Sequence, residues 1–155
     1  MMNIIGIDIN LVSAAANFKL GTVAGDIGTD GPQKNYKYVK YDAGTAAVAG
    51  VAGEVAYYLG AGGTQDSIVT SDVSDSVNIG AGVLQADMAD QTFGWVQISG
   101  PATLSIALTA GADGNALTAV GAGDGTLDVS ALVSDAVCAY ADDASAKEIM
   151  CCFPS

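Results

Sequence analysis

Asp72 with Asp75, and Asp87 with Asp90, stand close enough in sequence to offer the paired carboxylates of a glycoside-cleaving site. Among fifteen aspartates such pairs arise by chance, and nothing in the sequence singles one out. A hard cation such as calcium needs only carboxylate and carbonyl oxygens. Asp26, Asp30 and Gly31 have a loop-like spacing for one, but the full ligand pattern and its closing glutamate are missing. Asp113, Gly114 and Asn115 fit a simple turn. Cys138, Cys151 and Cys152 supply three thiols with no evident fourth ligand for a tetrahedral metal site. They read as small buried hydrophobes. Gly121, Gly123 and Gly125 surround Asp124, but a dinucleotide loop needs a strand before it and a helix after it. Leu127 to Val129 looks like another strand, so a turn is expected there.

The missing residues say more. There is no histidine and no arginine. Without histidine the chain lacks the commonest general base near neutral pH and the commonest metal ligand, so Ser-His-Asp and Cys-His arrangements are impossible. Without arginine no planar guanidinium can clamp a carboxylate or phosphate. No glycine-rich segment ends in the Gly-Lys-Ser/Thr of a phosphate loop. The expectation is a chain that is not an enzyme and has no catalytic residue, cofactor or metal.

The charge narrows the partners. Seventeen acids against five lysines give a formal charge of -12, a field that repels nucleic acid and anionic lipid. No stretch approaches the roughly 20 apolar residues of a bilayer span, so neither nucleic acid nor membrane is expected as a partner. Residues 1–10 carry no basic residue and include Asp8, which does not fit a secretory signal. Cytoplasmic synthesis with free thiols is the simplest reading. Glutamate appears only at Glu54 and Glu148; aspartate favours turns and caps where glutamate favours helix, so many turns and few long helices are expected. With 27 alanines and 20 glycines, a monomer buries little area per side chain, which is a physical motive for an oligomer.

The elements that must position these residues are short strands. One domain is expected: an N-terminal arm and connection over 1–34, then a small, mainly β barrel or sandwich-like domain over 35–155. Asn35 to Asp42 alternates, with Tyr36, Tyr38 and Lys40 on one side and Lys37, Val39 and Tyr41 on the other. Lys34, Lys37 and Lys40 form the one positive island. Either they belong to an edge strand whose lysines block unwanted pairing, or, with Tyr36 and Tyr38, they form a contact for an acidic partner or a neighbouring copy. Glu54 to Leu59 reads as a strand, Ser67 to Val77 as a solvated or turn-rich stretch, and Asn78 to Asp90 as a bulged strand or a short helical turn. Phe93, Trp95, Val96 and Ile98 form the strongest run, with Gly100 and Pro101 expected to end it and Thr103 to Leu108 to return as a second strand. Trp95 is expected in the core rather than on a ligand platform. Beyond it, Asp113-Gly114 and Asp124-Gly125 have the form of hairpin turns. Nine or ten short strands argue an all-β domain.

The segment from Ala81 to Ala102, AGVLQADMADQTFGWVQISGPA, resembles a phrase in the head decoration, or cement, proteins of tailed bacteriophages. Gly94, Trp95, Val96 and Gln97 match the family's Gly-Trp-Val-Gln strand, and Gly100 and Pro101 its following turn. Lys40 to Leu59 is similar to the family's early barrel strands.

The resemblance implies a β domain, often with an N-terminal arm, that assembles as a homotrimer on the outer surface of the phage head. There it reinforces contacts between major capsid protein subunits, with no cofactor or catalytic residue. Two other classes fit the same composition. One is a carbohydrate- or surface-binding module of a tail or fibre, using Tyr36, Tyr38, Tyr57, Tyr58 or Trp95 as its platform; the other is a self-assembling sheath or filament subunit.

Overall fold

The computed structural model describes residues 3–4, 6–25, 31–60 and 62–155; Asp26 and Asp30 lie outside them. Eleven strands are present among the described residues: β1 (Asn3–Ile4), β2 (Val23–Gly25), β3 (Asn35–Tyr41), β4 (Val55–Leu59), β5 (Ile68–Thr70), β6 (Ser76–Leu84), β7 (Phe93–Thr103), β8 (Ala116–Thr118), β9 (Asp128–Val129), β10 (Val137–Asp143) and β11 (Glu148–Cys152). One helical turn at Gly63–Asp66 and one 3-10 turn at Val73–Asp75 complete the regular structure. The fold is mainly β, and the sheet is mixed. β1 pairs with β2, and β3 with β5, in parallel; the other strand pairs are antiparallel.

Strand β3 packs on both faces, which explains why both halves of its alternation carry aromatic residues. Val39 and Tyr41 enter the main core with Tyr57, Tyr58, Val69, Val96 and Leu84. Tyr36 and Tyr38 enter a second cluster with Ala24 and Trp95. Ile7, Ile9, Phe18 and Leu20 pack against that second cluster, so the described part of the expected arm lies on the chain's own sheet. Its backbone ties are Ser13, which exchanges bonds with Phe93 at 3.0 and 2.9 Å, and Gly21 and Thr22, each bonded to Tyr38 at 2.8 Å. The Tyr38 ring centroid is 5.0 Å from that of Trp95 and 5.3 Å from that of Phe18, contacts worth about 0.5–1.5 kcal/mol each beyond their buried area.

Three sequence expectations are corrected. First, β3 is not an edge strand: it pairs with β2, β5 and β7. Second, Gly100 and Pro101 do not end the aromatic run. β7 continues through them to Thr103, because β11 pairs with that stretch, setting Cys151 opposite Gly100 and Met150 opposite Pro101. Pairings with β3 and β6 stop at Ser99 and Gln97, so the proline lies where one edge of the strand carries no partner strand and its missing N–H breaks no ladder. No strand follows over 104–108 and no hairpin forms there. Third, of the solvated or turn-rich stretch expected over Ser67 to Val77, the first part is not solvated, since Ser67, Thr70, Ser71 and Asp72 are all buried, and a 3-10 turn follows at Val73–Asp75.

Of Asn78 to Asp90, the part to Leu84 belongs to the bulged strand β6, and 85–90 lie beyond its end. β6 shifts register twice against β4, as its glycines allow: a Cβ on Gly82 would stand 2.8 Å from the Gln97 carbonyl. The turn signals divide. Asp124-Gly125 lies in the connection between the paired β8 and β9, whereas Asp113-Gly114 precedes β8 and joins no paired strands. The tightest hairpin, β10 to β11, contains no Asp-Gly; Asp143 closes it by accepting bonds from Ser145 Oγ at 2.6 Å and the Ala146 amide at 3.0 Å.

Candidate functional site

The aspartates carry the clearest chemical possibilities. Asp72 accepts from the Ser74 amide at 2.9 Å and caps the 3-10 turn. Asp75 accepts from the Thr45 amide across the fold. Asp87 accepts from the Ala52 amide at 2.9 Å and Asp90 from the Ala43 amide at 3.0 Å. Asp113 holds the Ala144 amide at 2.9 Å, and Asp124 the Val73 amide at 3.0 Å. Each carboxylate of the two pairs weighed for glycoside chemistry is thus occupied as an acceptor for a loop N–H. The aspartate richness has a structural cause: these side chains close turns and tie loops that the short strands leave unpaired.

The glycine stretch around Asp124 has the same character. The Tyr57 hydroxyl accepts from the Thr126 amide at 2.9 Å and donates to the Gly123 carbonyl at 2.8 Å. Burial raises its pKa. Gly125 takes φ +69°, and a Cβ there would meet the Glu54 carboxyl carbon at 2.8 Å. Desolvation raises the pKa of Glu54, with Asp124 and Asp87 adding repulsion. Among the described residues no group of three or more histidine, cysteine or acidic side chains could hold a metal ion.

The lysine island comes apart. Lys37 is buried, with Nζ 2.6 Å from the Tyr58 hydroxyl and 5.1 Å from the centre of its ring. Tyr36 and Tyr38 are buried as well. Lys34 and Lys40 are partly exposed, so two of the five residues weighed as an interface reach solvent. Tyr57, Tyr58 and Trp95 are buried too, and no surface platform exists at the five rings weighed for carbohydrate.

The Gly94–Gln97 motif is placed in the interior. Gly94 lies against Met88, whose methyl carbon would be 3.0 Å from an added Cβ. Trp95 fills the second cluster and Val96 the first. Gln97 is buried and donates to the carbonyls of Ser99 at 3.1 Å and Pro101 at 2.8 Å, bracing the bend at Gly100, where φ is +87°.

Cys138 and Cys151 are buried and Cys152 is exposed. Burial pushes the first two thiols up to about 12, which leaves them protonated and inert. Cys151, Cys152 and Asn35 line an open cavity of about 410 Å³.

Sequence reasoning missed the outward face of the last strands. Ala116, Tyr140, Met150 and Pro101 stand directly opposite one another across β8, β10, β11 and β7. Residues in register share a face of a sheet, and here Tyr140 is 48% and Met150 43% exposed. Nearby, Leu132 and Val133 project from the loop entering β10, at 65% and 109% exposure. That loop is built rather than loose: Asp135 accepts from the Ala131 and Leu132 amides, both at 2.9 Å. A signal existed in the alternation of Glu148, Met150 and Cys152 with Ile149 and Cys151, which assigns the first three to an outer face.

No protein-family description, characterised protein or solved structure matches the chain.

Proposed function

We infer that the chain is a structural capsid decoration protein, not an enzyme, which seats on the outer surface of a phage head and reinforces contacts between major capsid protein subunits. The observation that carries this reading is the stretch from Gly94 to Pro101, whose wording resembles the decoration family and which forms part of β7, the strand paired with β3, β6 and β11. The circuit of pairings from β3 through β5, β4, β6 and β7 back to β3 supports reading this part of the sheet as a small barrel. The carboxylates engaged in loop ties favour a structural role over a catalytic one. A homotrimer is the expected assembly, synthesised in the host cytoplasm and carried on the virion.

Co-sedimentation tests the reading. Heads assembled without this chain, from the phage whose genome encodes it, are mixed with the purified protein and pelleted. Saturable binding at a fixed number of copies per head is expected, with a trimer mass by light scattering. Absence from the pellet, or growth into open polymers, refutes it.

A further inference from the structure

We propose that the outward face of β8, β10, β11 and β7 is the surface by which this chain docks, and that its partner is a protein surface with an apolar centre and a lysine- or arginine-bearing margin; this deepens the decoration reading and rests on it. The centre is the in-register row Ala116, Tyr140, Met150 and Pro101. Val137, 38% exposed, and the exposed Cys152 extend it along β10 and β11. The Leu132-Val133 knuckle stands at the entry to β10, pinned by Asp135. Single exposed apolar residues are ordinary, whereas a contiguous run of them across four strands marks a contact surface.

The margin identifies the partner. Asp142 and Glu148 are exposed and line a shallow depression with Pro101 and Thr103, where Lys34 is the one cation among the lining residues. A second copy of the chain does not complement such a face. Of its five lysines, Lys37 is buried, Lys34 already belongs to this margin, and Lys147 donates to the Ser105 carbonyl at 3.1 Å. Lys19, Lys40 and Lys147, which keeps its charge while donating to a neutral carbonyl, remain against a chain of net charge -12. Apolar contact supplies the affinity, and the opposed charges of the two margins set orientation and encounter rate.

The test uses the full chain and heads assembled without it. Tyr140→Asp with Met150→Asp, and separately Val133→Asp, alter exposed side chains, and an unchanged Trp95 emission shows that each variant is folded. Each is expected to weaken head binding at least tenfold while leaving the protein's own oligomer mass unchanged. Glu148→Gln with Asp142→Asn is expected to bind more slowly and with less dependence on salt. Variants that bind heads as the wild type does overturn the assignment of this face. A loss of oligomer mass makes it a contact between copies and overturns the proposed partner. A wild-type protein that never pellets with heads brings down the decoration reading, and this assignment with it.

Discussion

Lys37 Nζ lies 2.6 Å from the Tyr58 hydroxyl, in the interior of a protein whose other four lysines are at least partly exposed. The pair links β3 to β4. Burying an ammonium is costly, and a phenol ring beneath it returns about 0.5–2 kcal/mol. Tyr58→Phe is therefore expected to destabilise by about 1–3 kcal/mol, the penalty for leaving a buried donor unpaired. Lys37→Met with Tyr58→Phe should regain most of that loss. Urea denaturation of the two single variants and the double variant gives the coupling energy; additive effects contradict a direct pair.

Glu54 gives the fold a pH dependence of definite sign. Its folded pKa is raised, chiefly by desolvation, so the folded state holds the proton more tightly than the unfolded chain. Stability from this group is full below its ordinary value of 4.5 and is lost as pH rises through the folded value. Glu54→Gln should raise the denaturation midpoint at about pH 7 and match the wild type at about pH 4. A variant less stable than the wild type at neutral pH would show that the ionised carboxylate is a net stabiliser.

Trp95 reports on residues 6–25. It is 2% exposed and touches Phe18, their ring centroids 5.4 Å apart. The native protein should emit at short wavelength, resist acrylamide quenching and ignore added glycans. Phe18→Ala should shift the emission to the red and cost about 3 kcal/mol or somewhat less, since Phe18 is only partly buried. An unchanged spectrum would place Phe18 away from the indole.

The long-range aspartate ties can be tested one at a time. Asp124→Ala removes the acceptor of the Val73 amide, 51 residues away in sequence, and should cost about 1 kcal/mol. Asp124→Asn keeps an acceptor oxygen and should recover most of it. Equal losses in both variants would assign the effect to charge and not to the bond.

Thiol chemistry separates the cysteines. Cys152 is exposed while Cys138 and Cys151 are buried, so a thiol reagent should modify one group rapidly in the native protein and all three in denaturant. Rapid reaction of all three without denaturant would contradict the packing of β10 and β11.

Legibility in the sequence followed the length of the pattern. β3, β4 and the first half of β7 were readable because they concentrate aromatic and β-branched side chains, which mark a buried strand whatever its partners. What the sequence withheld was pairing. Gly100-Pro101 has the local form of a turn, and only β11, some fifty residues on, makes it strand. The lysines of β3 have the local form of an edge, and only the three neighbours of that strand make it interior. The docking face escaped for the same reason: Tyr140, Met150 and Pro101 are unremarkable singly and become a surface through register.

Strand β7 binds β3 over its first half and β11 over its second. The β10–β11 hairpin, paired with the end of β7, and Ser13, bonded to Phe93 at its start, are therefore joined along one continuous backbone. Ser99, opposite Asn35 on one edge and Cys152 on the other, is the residue where the two ladders meet.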